Sequence, residues 1–306
     1  MVSSSLGGGV LSLSYVFVLS GWGTGLILVA IGAIASTWSN LIIAKMCATK
    51  GLRNLDDMAT RAGGKCLSKT LQLAMILYAL GACIGYQIFI AEMFAYIFSA
   101  LIPSALDFID SFEFRLVVNV PCAALVLFPL SLKRDMSALA FAGVLSVGAL
   151  TYTLIVMLIE TPFYYKEYVH ADQTIIYAFK LDWNILTSFS LVFFAYTCQM
   201  SLIPVYSELV NPNYRRISKV VKRALALDCL FYYIIAVSGY MSQFNATSDV
   251  VLTRPALSGM DPDYFSLVAA LGICIVLFAA FPSNYNPCRN QFFLFAFNEP
   301  NYSNKA

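Results

Sequence analysis

Charge is scarce in this chain, and histidine scarcer. Asp, Glu, Lys and Arg together make up 12% of the residues, the formal net charge is +2, and His170 is the one histidine. So small a balance gives no electrostatic footprint for nucleic acid. One histidine and eight scattered cysteines, with no C-x-x-C pair, offer no metal-ligand spacing, so no cofactor and no metal is implied. Most of the cysteines lie in apolar runs and read as small packing residues, not as a disulfide framework. Neither a nucleophile–base pair nor a phosphate loop is visible, which reads against an enzyme. A basic leading region is missing and Gly7–Gly9 interrupt the first apolar segment, so no cleavable signal peptide is expected.

What is abundant is hydrocarbon. Hydrophobic residues make up 59% of the chain, and several apolar runs approach or exceed the ~20 residues a helix needs to cross a bilayer. The fold class expected is an all-α integral membrane protein with the lipid bilayer as its first partner. Val10–Leu19 is long enough for about half a crossing. Full spans are expected at Gly25–Met46, Thr70–Ile102, Phe114–Leu132, Met136–Ile159, Asn184–Val210, Val221–Tyr240 and Phe265–Pro282. That is a half-helix and seven spans. Between them lie a Ser20-Gly21-Trp22-Gly23 turn, a basic, partly amphipathic loop at Cys47–Lys69, a tight Lys133-Arg134-Asp135 turn and a long Tyr-rich connection to Trp183. Gln291–Phe297 is too short to cross again.

The basic residues agree with this alternation. One side carries Lys45, Lys50, Arg53, Arg61, Lys65 and Lys69, then Lys133 and Arg134, then Arg215, Arg216, Lys219, Lys222 and Arg223, then Arg289 and Lys305. The other side has only Arg115, Lys166, Lys180 and Arg254. The positive-inside rule puts the basic side in the cytoplasm or its equivalent. Asn245-Ala246-Thr247, a tripeptide glycosylation signal, falls on the opposite side.

Two spans look broken. Gly7-Gly8-Gly9 open the first and leave a backbone that a ligand can approach closely; small-residue helix packing would use glycine as well. In Phe194–Glu208, reading F-A-Y-T-C-Q-M-S-L-I-P-V-Y-S-E, the polar Thr197, Cys198, Gln199 and Ser201 interrupt an apolar run and Pro204 follows. Backbone freed at that depth must line a protein cavity, and a broken helix at the midplane is where transporters hold substrate. A kinked, packed helix is the plainer reading. Glu92 is the acid placed well inside a span, either coupling protons or paired structurally. Asp228 is expected as an interfacial partner of Arg223 or Lys222, Glu208 as a partner of the Arg215-Arg216 cluster, and His170 as solvated.

G-G-G-V-L-S-L-S-Y-V at Gly7–Val16, Phe128-Pro129-Leu130-Ser131-Leu132, C-Q-M-S-L-I-P-V-Y-S-E-L at Cys198–Leu209, Ala236–Tyr240 with Phe244, and Phe281-Pro282 through Arg289 resemble the corresponding blocks of the amino acid/auxin permease family. That family of transmembrane amino acid transporters, within the amino acid–polyamine–organocation superfamily, includes vacuolar and sodium-coupled neutral amino acid transporters of eukaryotic membranes. The resemblance implies a LeuT-type inverted-repeat bundle in a single domain over 1–306, with the first repeat at about 1–160 and part of the second at about 184–297. It implies an amino acid or related small zwitterion as substrate, moved by alternating access around the broken first and sixth helices. Gly7, Gly8 and Gly9 would serve the substrate carboxylate, and Phe194, Tyr196, Thr197 and Cys198 would present carbonyls to its amino group and shape its pocket.

Departures from the pattern set a second expectation beside the first. Met1 stands where the family's first helix is already half-way across, and the sequence stops after the eighth span of a usual eleven. Ser14 replaces a proline and Gln199 a histidine. Leu267–Phe281 offers no hydroxyl for the sodium site of coupled relatives. The alternative is therefore a transport-inactive structural subunit of a larger membrane complex, with other membrane subunits over the missing helices. Side chains filling the space between the glycines and Tyr196–Cys198 would favour the subunit, and a water-filled chamber would favour transport.

Overall fold

The computed structural model of the chain describes residues 2–5, 7–52, 54–103, 106–109, 111–132, 137–169, 176–257 and 263–297. The expectations for Arg53, the Lys133-Arg134-Asp135 turn, His170 and Lys305 fall outside them. All regular structure among the described residues is helical. After a helical turn at Val2–Ser5 and a tight 3-10 turn at Gly8–Ser12 comes α1 (Leu13–Ser20), followed by α2 (Trp22–Lys50), α3 (Leu55–Leu101) and α4 (Phe112–Leu132). Then come α5 (Ser137–Tyr168), α6 (Asn184–Ala195), α7 (Gln199–Glu208), α8 (Tyr214–Gln243) and α9 (Tyr264–Phe297).

Six stretches are long and apolar enough to cross a membrane: α2, α3, α4, α5 from Gly143, the α6–α7 pair and α9. The stretch expected as the seventh, Val221–Tyr240, lies in the 30-residue helix α8, which is not among these six. Gly8–Ser20 is a shorter apolar element. Six of the seven expected spans are therefore present as long apolar helices, beside the half-helix. Ile34, Trp38, Leu77 and Leu125 all show more than half their surface on the outside of the bundle. An apolar exterior of that kind is a liability in water and the expected face toward lipid.

The short α1 is the axis of the core. Val10, Leu11, Leu13 and Val16 are fully buried and Phe17 nearly so, with α8, α6 and α2 packed around them. Its outer end is set by Gly21, whose φ of +85° ends one helix and starts the next. A side chain at Gly21 would also meet the Ala178 carbonyl oxygen at 2.8 Å. There the Tyr-rich connection lies down on the helix junction. Trp22 N donates to Tyr177 O (3.1 Å), Gly23 N to Ala178 O (2.8 Å) and Lys180 N to Ser20 O (2.9 Å).

Four boundaries differ from the sequence reading. The described part of the stretch expected as a loop at Cys47–Lys69 is helical apart from Gly51, Leu52 and Asn54 and a bend at Gly63 and Gly64, where φ at Gly64 is +75°. Its amphipathic face docks on the far end of α9, with Gln291 Nε2 donating to Asp56 Oδ2 at 3.1 Å. That docking explains the second difference: Gln291–Phe297 is the last part of one 34-residue helix that runs through Pro282 and Pro287. Third, α5 continues past Ile159 to Tyr168, because Glu160 and Tyr164 find buried partners on its polar extension. Fourth, α8 begins at Tyr214, so Lys219, Lys222 and Arg223 sit on a helix, and the Asn213 side chain caps it by accepting from Arg216 N at 2.9 Å.

Candidate functional site at the paired helix breaks

The first break is backbone geometry without side chains. Gly7 is extended (φ −99°, ψ −161°), and Gly8 opens the tight 3-10 turn that leads into α1. The second lies between α6 and α7, where Tyr196, Thr197 and Cys198 leave the helical path. Pro204, expected to contribute to this break, stands inside α7, six residues beyond Cys198. The polar Tyr196–Cys198 segment, not the proline, marks the gap.

The two breaks face each other. A Cβ on Gly9 would stand 3.1 Å from Ala195 Cα and 3.1 Å from the Phe194 ring. Tyr232 of α8 joins them: its hydroxyl lies 2.7 Å from Ser5 O and 2.6 Å from Ala195 O, so one buried proton is shared by the carbonyls on either side. The Tyr232 and Tyr196 rings meet edge to face at 4.7 Å. From α2, Ser36 Oγ donates to Tyr196 O (2.8 Å), and Asn40 Nδ2 lies 2.9 Å from Ser36 O and 3.5 Å from Cys198 Sγ. Buried polar groups need such partners, since an unpaired carbonyl away from water costs about 1–3 kcal/mol.

All seven residues expected at the substrate site are thus within this junction, though not all as expected. The Tyr196 carbonyl is already accepting from Ser36, and the Thr197 hydroxyl donates to Phe193 O at 2.7 Å. Side chains, not an open chamber, close the gap: Cβ atoms added to Gly7 and Gly8 would meet Tyr86 Oη at 3.2 Å and Phe89 and Leu277 at 3.0 Å. Phe194 packs toward Tyr78, with ring centroids 6.1 Å apart. Phe89 also forms part of the wall of a cavity of about 510 Å³ on the less basic side, together with Ser12, Glu92, Ser248, Asp249 and Thr253. Glu92 stands in that vestibule, ion-paired with Arg115 at 2.9 Å.

Sequence reasoning missed Asp228 and Tyr232. Asp228 is not an interfacial partner of Arg223 or Lys222. It is 1% exposed, and its Oδ2 accepts a hydrogen bond from Ser5 Oγ at the first break. The signal was there: two polar residues four apart on an otherwise apolar helix share one face. Glu208 is exposed, and the ion pairs among the described residues do not include it. Ser14, in place of the resembled family's proline, donates to Ile235 O at 3.0 Å and ties α1 to α8.

The closeness at Gly9 is open to test. Gly9→Val should wedge the breaks apart and lower stability by about 1–3 kcal/mol through overpacking. Gly81→Val, at a position with open space around it, should not. Thermal unfolding of the two variants in the same detergent measures the difference; equal melting would show that the breaks are not in contact.

A family model described as "Transmembrane amino acid transporter protein" matches residues 1–305. A Toxoplasma gondii protein named as a candidate amino acid transporter is 28% identical over 247 residues, covering 79% of this chain and 32% of that protein. Vacuolar amino acid transporter 7 of Saccharomyces cerevisiae is 24% identical over 301 residues, covering 94% and 56%. Sodium-coupled neutral amino acid transporter 7 of Danio rerio is 23% identical over 265 residues, covering 84% and 56%. The chain thus spans between a third and little more than half the length of these relatives.

Proposed function

Because the chain belongs to the transmembrane amino acid transporter family, we propose that it carries amino acids or related small zwitterions across a eukaryotic membrane, as a secondary active transporter with its basic face in the cytoplasm. The observation that carries this reading is the pair of helix gaps joined by the Tyr232 hydroxyl. Interrupted helices leave backbone N–H and C=O groups at membrane depth, where the only use for them is to line a binding site or to pair with each other. The N–H groups of Gly8 and Gly9, beside a Gly7 N–H that donates to Ser5 O at 2.8 Å, would meet a carboxylate, and the carbonyls at Ala195–Cys198 an ammonium group. The two arms would then be the first and sixth helices of a LeuT-type inverted repeat, one domain with repeats at about 1–160 and from about 184.

The side chains packed on the glycines fit an occluded conformation. Phe89 touches Gly8 and also lines the vestibule. A filled gap is the arrangement that would favour the structural-subunit reading; what supports transport over it is the match to amino acid transporters along most of the chain. The subunit reading's other support was the position of the chain ends, which do not bear on it. No covalent chemistry is needed: transport is differential binding to two conformations.

The test is uptake of a mixture of radiolabelled amino acids into proteoliposomes. Uptake above protein-free vesicles, reduced in Gly9→Val, supports transport; uptake equal to the empty vesicles refutes it. Sodium should make no difference. Sodium prefers oxygen ligands, and where α9 passes the first break it presents the Leu277 side chain. Replacing sodium by choline in the same assay should leave the rate unchanged, and a marked drop would overturn the expectation.

A further inference from the structure

We propose that Asp228 is the proton-binding group of the transport cycle, taking up and releasing its proton at Oδ1 beside the two helix breaks. The inference rests on the transport reading above and adds the coupling ion and the residue that carries it.

Asp228 is buried on α8, one turn before Tyr232. Its Oδ2 accepts from Ser5 Oγ, while Oδ1 is buried without a hydrogen-bond partner. No Lys or Arg side chain among the described residues pairs with it. The titratable groups of the described residues that face it are Tyr232 on its own helix and Tyr196 and Cys198 on the unwound segment. An ionised carboxylate accepts only, and a bare charged oxygen in such surroundings is costly. A proton on Oδ1 removes the charge and turns that oxygen into a donor.

Ser5 O and Ala195 O share the one Tyr232 proton, and Ser5 O accepts from Gly7 N as well, at 2.8 Å, whereas Asp228 Oδ1 has no donor. Protonating Asp228 adds a donor where the breaks meet; losing the proton takes it away. Because Ser5 is bonded to Asp228 through its hydroxyl and to Tyr232 through its carbonyl, the charge on Asp228 acts on the segment leading into the glycines. A proton bound there can therefore bias which way the break opens, which is what coupling requires. Glu92, by contrast, has its charge balanced by Arg115 at 2.9 Å and lies in the vestibule. The proton balance is closed: one proton enters Oδ1 from the acidic side and leaves it to the other side, with no other reactant.

Two measurements on the full chain test this. Infrared difference spectra across a pH titration should show the carbonyl band of a protonated carboxyl in wild type that is missing in Asp228→Asn. If the two titrate alike, Asp228 is not the proton site, whatever the transport results. In proteoliposomes with an acidic exterior, wild type should concentrate the labelled amino acid mixture, Asp228→Asn should fall to the level without a gradient, and Asp228→Glu should recover part of the accumulation. Size-exclusion profiles check that each variant folds. Accumulation that survives in Asp228→Asn, or that is lost in Glu92→Gln instead, overturns the proposal. Should wild type move no label at all, the transport reading fails and the coupling role with it. The infrared result then still decides whether Asp228 binds a proton.

Discussion

Arg254→Ala should be among the most destabilising single substitutions in the chain, lowering the unfolding free energy by about 3–5 kcal/mol, because it leaves a carboxylate buried and unpaired. Arg254 is 1% exposed, pairs with Glu160 through Nη2 and lies over the Tyr164 ring at 4.0 Å. Ser266 Oγ lies 3.3 Å from the same Glu160 oxygen, and Tyr164 Oη donates to Pro255 O at 2.9 Å. One guanidinium thus fastens the end of α5, the segment after α8 and the first turn of α9. The pair as a unit contributes far less than either half, since desolvating both ions offsets most of their attraction. The double variant Glu160→Leu with Arg254→Met should therefore be less damaged than either single change. Chemical denaturation in detergent of all four proteins measures the coupling. Equal, additive losses would mean that the two side chains act independently.

Tyr232→Phe is expected to have the largest effect on transport. It removes one oxygen, keeps the ring against Tyr196, and takes the shared donor from Ala195 O and Ser5 O, of which Ser5 O keeps the Gly7 N–H. The orphaned Ala195 carbonyl costs about 1–3 kcal/mol, and the cost falls on the segments proposed to hold substrate. Uptake should drop by about a hundredfold if ~2.7 kcal/mol of that loss is felt in the transport-competent state. The protein should stay monodisperse. The paired readout is uptake in proteoliposomes against the thermal midpoint. A variant that melts earlier but transports normally would show that the hydroxyl holds the fold together without shaping the site.

These two predictions turn on residues that the sequence did not disclose, and the reason is physical. Helix breaks are local: glycines at 7–9 and a polar Thr197-Cys198 in an apolar run announce themselves within a few residues. Long apolar runs likewise reveal spans, because hydrocarbon thickness sets their length. The partners that satisfy those breaks come from more than thirty residues away: Tyr232 for Ala195, Ser36 for Tyr196, Asp228 for Ser5. No periodicity encodes such pairs. Asp228 looked interfacial because it follows a basic cluster in sequence, whereas helical geometry carries it a full turn and more beyond Arg223. Glu160, just past the expected end of a span, and Gln291, in the stretch too short to cross, are each held by a distant counterpart that the sequence does not show. Pro204 misled in the other direction, since a membrane helix tolerates proline without parting.

The strap of backbone hydrogen bonds between residues 177–180 and the Ser20–Thr24 corner bears on how such a bundle could move. Lys180 is bonded to the outer tip of α1, and α6 starts at Asn184. The upper arms of the two interrupted helices are therefore yoked by a few residues of extended chain. A displacement of either end would be passed to the other through the chain, without a side chain between them.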